Sequence, residues 1–232
     1  RYWEVDTNLA QSESNKASVI WFEHRLNQAL SQIDDHFSKF RISDALMAAY
    51  KLTWDEFCSW YLEMIKPEYQ KPIDKVTYEA TISFFESLMR MLHPFMPFIT
   101  EEAWHLLGDR GNDGDIIVAD YPVAGSFDEK LLKHFDTERE VIIAIRNERN
   151  SKGISPREKI HLRVKKNHGQ VPDTYFDCIV SKMANLADLT YVEEKIAGAA
   201  SFIIGSTEFF IPLDEEVIDV KAEIARLEKD LE

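Results

Sequence analysis

Ser38-Lys39-Phe40-Arg41-Ile42-Ser43 places two cations, an aromatic ring and hydroxyls within six residues, between two stretches of helical periodicity. Side chains of these types can stack a flat ring or pair an anionic oxygen, and they can equally form a plain basic turn. A second concentration of charge runs from Arg139 to Lys166. There nine basic residues (Arg139, Arg146, Arg149, Lys152, Arg157, Lys159, Arg163, Lys165 and Lys166) meet three acidic ones, Glu140, Glu148 and Glu158, for a local net of +6. The whole chain carries a formal charge of −14 and a pI near 5.0, which argues at first against a nucleic-acid partner. Screening over about 8 Å at physiological salt makes distant acidic groups count for little. A positive patch on an acidic body is therefore compatible with an RNA backbone. A solvated helix face followed by an ordinary strand is the other reading of the same run.

No grouping of residues points to catalysis. The chain has no Gly-rich phosphate cradle and no His-Glu-x-x-His pattern, and its seven histidines are scattered. His93, just ahead of Pro94, reads as a helix-end hydrogen bonder rather than a ligand. Cys58 and Cys178 lie far apart without a CxxC partner, so no metal site follows from them, and they fit a reducing cytoplasm better than a disulfide framework. Asp109, Asp113, Gly114 and Ile116 stand where a calcium loop would use them. Gly111 and Asp120 stand where that loop needs an acidic ligand and a bidentate Glu, so calcium is set aside. No apolar run reaches the roughly 18 to 20 residues a membrane helix needs, so the chain is expected to be soluble. Arg1 is neither an initiator Met nor the start of a signal peptide, and Glu232 falls inside an unfinished heptad, so the chain is expected to be part of a longer protein.

The elements that must position these residues are mostly helical. Val19, Phe22, Leu26, Ala29, Ile33 and Phe37 recur at spacings of three and four, which predicts a helix from about Ser14 to Ser38. Leu46, Tyr50, Trp54, Phe57, Tyr61 and Met64 predict a second, with Ser43 as its cap and Pro67 as its stop. Val76, Ala80, Phe84, Leu88, Met91 and Phe95 predict a third. It ends at Leu92-His93-Pro94-Phe95-Met96-Pro97-Phe98-Ile99-Thr100, where two prolines interrupt an apolar run. A buried elbow is expected there, with Thr100 capping the next helix, and Trp54, Trp60 and Trp104 are expected in the core. Such faces bury one another in an antiparallel bundle. A polar turn from Gly108 to Asp115 leads into an extended connector, Ile116 to Pro122. Periodicity then predicts a helix from about Asp128 to Ser151 and a strand at Ile160–Val164 with His161 and Arg163 on its wetter face. A helix from Tyr175 to Ala184 and short strands at Leu189–Val192, Ser201–Ile204 and Glu208–Leu213 complete a small α+β unit. Val217, Val220, Ile224, Leu227 and Leu231 mark about two heptads of a coiled coil. The expected class is mainly α: a helical bundle over 1–108, a linker over 109–126, an α+β unit over 127–214 and the start of a coiled coil over 215–232.

The elbow, together with Trp54-Asp55-Glu56-Phe57-Cys58-Ser59-Trp60-Tyr61-Leu62-Glu63, Ile145-Arg146-Asn147-Glu148-Arg149, Ile154-Ser155-Pro156-Arg157-Glu158-Lys159-Ile160 and Ile218 to Leu227, resembles the anticodon-binding region of the valyl-tRNA synthetase family, and less closely its isoleucyl and leucyl relatives. The resemblance covers nearly all of the chain. It implies a valine tRNA partner, no DNA or membrane ligand, a monomer, and a cytoplasmic setting. It also implies that adenylation with ATP and Mg, and editing, belong to an N-terminal part. Consistent with that, the chain has no His-x-Gly-His or Lys-Met-Ser-Lys-Ser string, and no cofactor is expected within these residues. By resemblance Lys39, Phe40, Arg41 and Ile42 would read or stack on anticodon bases. The family commonly has Arg followed by Phe here, and this chain has Arg41 followed by Ile42. Arg146, Arg149, Lys152, Arg157 and Lys159 form a second set, as phosphate contacts or as support for the bundle. A helical protein-interaction module is the alternative reading.

Overall fold

The computed structural model describes residues 3–108, 110–111, 114–166, 172–196 and 198–212. Two compact units are present, Arg1–Leu132 and Lys133–Glu232. The proposed coiled-coil residues Val217 to Leu231 lie outside the described residues, as do Asp109 and Asp113 of the polar turn.

In the first unit a two-residue strand β1 (Val5–Asp6) precedes α1 (Glu13–Ser38), which Ser12 caps by accepting from the Asn15 amide at 3.1 Å. Trp21, Phe22, Leu26, Ala29, Leu30 and Ile33 are buried along α1, a wider face than the predicted stripe because four further helical segments pack on it. The second helix differs from its prediction in two ways. Its first part, α2 (Ile42–Lys51), is capped by the Arg41 backbone, and the Ser43 hydroxyl is not the cap. From Leu52 to Tyr61 the backbone then adopts π-helical pairing before a last turn of α-helix, α3 (Leu62–Ile65), ends ahead of Pro67. The wider turn breaks the spacing that a 3.6-residue period assumes. Leu52, Phe57 and Tyr61 enter the core, while Trp54, expected there, is 59% exposed. Trp104 is buried as expected and Trp60 is half-buried.

Phe22 sits at the centre, its ring centroid 4.9 Å from Tyr61, 5.0 Å from Phe84 and 5.3 Å from Phe57. The strand β2 (Ile73–Asp74) pairs in parallel with β1 and leads into α4 (Lys75–Leu92). Asp74 caps α4 through the Thr77 amide at 2.8 Å and also accepts from Asn15 Nδ2 at 2.9 Å, so each oxygen of this buried carboxylate has a donor. After α4 the chain turns, and α5 (Pro97–Leu106) begins with Pro97 in its first turn. Thr100, expected as the cap, lies inside α5. Its hydroxyl donates to Met96 O at 2.8 Å and meets His93 Nδ1 at 2.8 Å, so His93 does hydrogen-bond at the helix end. Nor is the elbow buried. Met96, Phe98 and Ile99 are exposed, while Thr100 and Trp104 further along α5 are the buried ones. Ile116–Val118 forms a 3-10 turn in place of the expected extended connector, with Ile116 as its buried anchor. Gly125 and Asp128 are fastened to α1 by amide hydrogen bonds to Asn27 Oδ1 and His24 Nδ1.

The helix α6 (Glu129–Ser151) begins in the first unit and continues in the second. A Schellman turn ends it. Gly153 takes φ +68°, and the Ile154 amide donates back to Arg149 O at 2.9 Å. In the second unit a four-stranded sheet follows the order β4 (Leu186–Val192), β3 (Ile160–Lys165), β6 (Thr207–Pro212), β5 (Ala199–Ile204), with α7 (Asp177–Met183) between β3 and β4 in the chain. The strand β3 runs parallel to β4 and antiparallel to β6, which forms a hairpin with β5. Along β3, Ile160, Leu162 and Val164 are buried while His161 and Arg163 face outward, as their alternation predicts. Among the described residues no helix is long and apolar enough to cross a membrane.

Candidate nucleic-acid interface

The α1–α2 junction is a Schellman turn built without glycine. The Phe40 amide donates to Phe37 O at 3.0 Å and the Arg41 amide to His36 O at 2.8 Å, which forces Phe40 to φ +58°. A bulky residue in this left-handed region costs about 1 kcal/mol or more relative to glycine. The strained turn holds outward a ring that is 88% exposed. Arg41 follows with its carbonyl accepting from the Ala45 amide at 3.0 Å, so α2 starts at once and holds the Arg41 and Ile42 side chains at the surface. Lys39 bonds Asp35 Oδ2 at 2.8 Å across one helical turn, and this bond holds the Asp35 carboxyl below its usual range.

Two further features share this end of the first unit. Phe37, in the last turn of α1, stacks on Phe95 at 6.3 Å, which brings the elbow alongside the junction. The elbow presents Phe98, 91% exposed, with Ile99 and Met96 beside it. Down α2 from the junction, Ile42, Leu46, Met47 and Tyr50 form an exposed apolar face, and an open groove of about 410 Å³ between α1 and α2 is lined by Arg25, Gln32, His36, Met47 and Lys51. Sequence reasoning missed Phe98 and Ile99 because apolar residues after a proline turn read as packed. The available signal was Pro97 itself, which opens a helix whose buried positions begin only at Thr100.

The second predicted set is dispersed by the fold. Arg149 is only 4% exposed. Its Nη1 donates to Ser155 O and Glu158 O, each at 2.9 Å, and its Nη2 to Ala184 O at 2.9 Å and Asn185 O at 3.0 Å. Asn185 adds side-chain bonds to Pro156 O and Glu158 O, so the guanidinium and the amide together fix the turn after α6. Arg146 is exposed, with Nη2 on Met183 O at 3.3 Å, and Lys152 is half-buried. Arg157 and Lys159 are exposed on that turn. Beyond them, Arg163 pairs with Asp188 at 2.9 Å, Lys165 with Glu208 at 3.5 Å and Lys166 with Glu193 at 2.8 Å.

A cavity of about 270 Å³ in the second unit is lined by His134, Glu138, Asp173, Asp177 and Tyr191 among others. Glu138, hydrogen-bonded to His134, raises the imidazole pKa with help from Asp173 and Asp177, against the opposing effect of burial. Burial pushes the Asp177 carboxyl up, and its hydrogen bond from Tyr191 Oη at 3.0 Å partly offsets that. These groups satisfy one another.

Residues 20–165 match the family described as the anticodon-binding domain of tRNA ligase. A valine–tRNA ligase of Parabacteroides distasonis is 44% identical over 99% of this chain, and one of Porphyromonas gingivalis is 45% identical over 99%. A valine–tRNA ligase of Fusobacterium nucleatum is 32% identical over 91%. In each case the match takes up 26% of the relative, so the chain spans about a quarter of the length of these curated relatives.

Proposed function

Since the chain belongs to the anticodon-binding domain family of tRNA ligases, we propose that it reads the anticodon of valine tRNA through the junction end of its first unit. Unpaired bases are recognised by stacking on aromatic or guanidinium planes and by hydrogen bonds to their open edges. Phe40 carries the proposal. A strained backbone that points a phenyl ring into solvent stabilises nothing within the fold, and the next residue, Arg41, is exposed as well. Phe98 offers a second platform at the same end, and the exposed Ile42 supplies apolar contact rather than a ring. Contacts to tRNA phosphates fall to the exposed Arg157 and Lys159 and, separately, to Arg146 and Lys152, while Arg149 supports the turn after α6 from within.

In this reading the longer protein is a valine–tRNA ligase, monomeric and cytoplasmic. Its ATP- and Mg-dependent chemistry is carried by other parts of that protein, and neither DNA nor a membrane is a ligand. The test compares binding of valine tRNA with an anticodon-swapped version at two salt concentrations. Preference for the valine anticodon is expected. Equal binding of both would remove the reading role, and preference for an isoleucine or leucine anticodon would reassign the ligase. A protein-interaction role is the second reading, favoured by the exposed Leu46, Met47, Tyr50 and Trp54 on one side of α2 and the segment after it. Absence of any tRNA preference would support it.

A further inference from the structure

Glu101 and His105 lie one helical turn apart on α5, and Asp115 meets them from the loop that follows. His105 Nε2 is 3.0 Å from Glu101 Oε1 and 3.1 Å from Asp115 Oδ1. We propose that this trio binds a divalent transition-metal ion, zinc above all, and so clasps the loop after α5 to the helix.

The donor set selects the class of ion. One imidazole nitrogen with two carboxylate oxygens suits zinc and its neighbours, whereas calcium and magnesium take oxygen donors. The ligand atoms of all three residues lie within 4.8 Å of one another. Bonds of about 2.0 to 2.2 Å place neighbouring donors about 3 Å apart, close to the spacing His105 makes with each carboxylate. Positions i and i+4 bring Glu101 and His105 to the same side of α5 without further help. His105 and Asp115 are exposed enough to leave the remaining coordination positions to water.

The third ligand is delivered by contacts of other kinds. Trp104 Nε1 donates to Gly114 O at 2.8 Å, and the Arg110 guanidinium lies 3.5 Å over the Trp104 ring while its Nε donates to Trp104 O at 3.1 Å. On the other side of Asp115, the Ile116 side chain is buried and its amide donates to Glu101 Oε1 at 3.0 Å. That bond also orients the Glu101 carboxylate, as outer partners of metal ligands commonly do. Both neighbours of Asp115 are thus fixed to α5, and the ion would lie where His105 Nε2 now meets the two carboxylate oxygens.

The experiment titrates the 232-residue chain with zinc alone by calorimetry, and with cobalt(II), whose visible absorption reports coordination. One equivalent is expected to bind. His105→Ala should abolish it, Asp115→Asn should weaken it roughly tenfold or more, and His134→Ala, which removes another carboxylate-paired histidine, should bind as the parent does. Zinc should raise the thermal midpoint of the parent and leave that of His105→Ala unchanged. Each variant is first matched to the parent by circular dichroism in metal-free buffer, and Glu101→Gln replaces any that fails to fold. Binding unchanged in both His105→Ala and Asp115→Asn, or no saturable binding below millimolar zinc, overturns the proposal and leaves the trio a hydrogen-bonded ion cluster.

Discussion

The junction end of the first unit and the basic run of the second were both conspicuous as sequence, yet the fold uses their cations in opposite ways. In the second unit Arg149 is consumed by four carbonyls, and Arg163, Lys165 and Lys166 are met by Asp188, Glu208 and Glu193, acids that strand pairing brings from elsewhere in the chain. At the junction, Arg41 and Phe40 are held outward by a backbone that pays in strain to keep them there. A local net of +6 measures how much charge is available. Where that charge is directed depends on partners that a window of sequence does not contain.

The contrast between the two regions stands or falls first at Arg149. Arg149→Ala should destabilise the second unit by about 3 kcal/mol, since it removes four charge-assisted hydrogen bonds made by a buried guanidinium. Urea unfolding measures this, and Arg149→Lys should recover only part of the loss because an ammonium cannot reach four acceptors at once. A folded, undiminished Arg149→Ala chain with weakened tRNA binding would instead return Arg149 to the RNA surface.

At the junction the expected loss is of discrimination. Arg41→Ala should remove about 1 to 3 kcal/mol of preference for the valine anticodon with little change in stability or salt slope. Neutralising Arg157 or Lys159 should weaken all tRNAs alike and flatten the salt dependence by roughly 0.7 to 0.9 for each phosphate no longer neutralised. If Arg41→Ala keeps the parent's discrimination, the junction is not the reading site.

Phe40→Gly sets the two regions further apart, because stability and function should move in opposite directions. Glycine relieves the left-handed strain, so thermal unfolding should show a gain of roughly 0.5 to 1 kcal/mol while tRNA binding weakens. A loss of stability would mean the exposed ring packs on something within the chain.

The smallest effect concerns pH. The folded state raises the His134 pKa above its ordinary value of 6.5, so the stabilisation is complete below that value and is lost as pH rises through the raised one. His134→Gln should therefore flatten the decline in stability that the parent shows above about pH 6.5. An unchanged slope would show that Glu138, Asp173 and Asp177 contribute nothing through His134.

Much of the fold was legible because its signals are periodic and local. The helices at Glu13–Ser38, Lys75–Leu92 and Glu129–Ser151, the β3 alternation and the hairpin strands all follow from spacing that a single element imposes. What escaped depends on a second element or on backbone state. The pairing of Val5–Asp6 with Ile73–Asp74 joins segments remote in sequence, and Ser43 lost its place as a cap to a turn that used backbone groups alone. At the candidate site, Lys39 to Ile42 could be named from residue type, but the outward ring of Phe40 could not. A glycine would have announced the left-handed turn, and position 40 carries a phenylalanine instead. Phe98 was hidden for a different reason, since an apolar residue just after a proline turn reads as packed and only the neighbouring elements decide whether it is.

The π-helical stretch from Leu52 to Tyr61 makes the facing of α2 tolerant of a change in residue count. A π turn holds about one residue more than the α turn it replaces, so loss of one exposed position such as Asp55 is absorbed when a single turn tightens to α pairing. Ile42 to Tyr50 then keep their direction relative to Phe57 and Tyr61, whereas the same loss inside an ordinary helix, at about 100° per residue, would re-aim every side chain beyond it. A lineage could therefore gain or lose one codon in this stretch and leave the surface intact, and alignments that force a residue-for-residue match through it would misjudge which residues correspond.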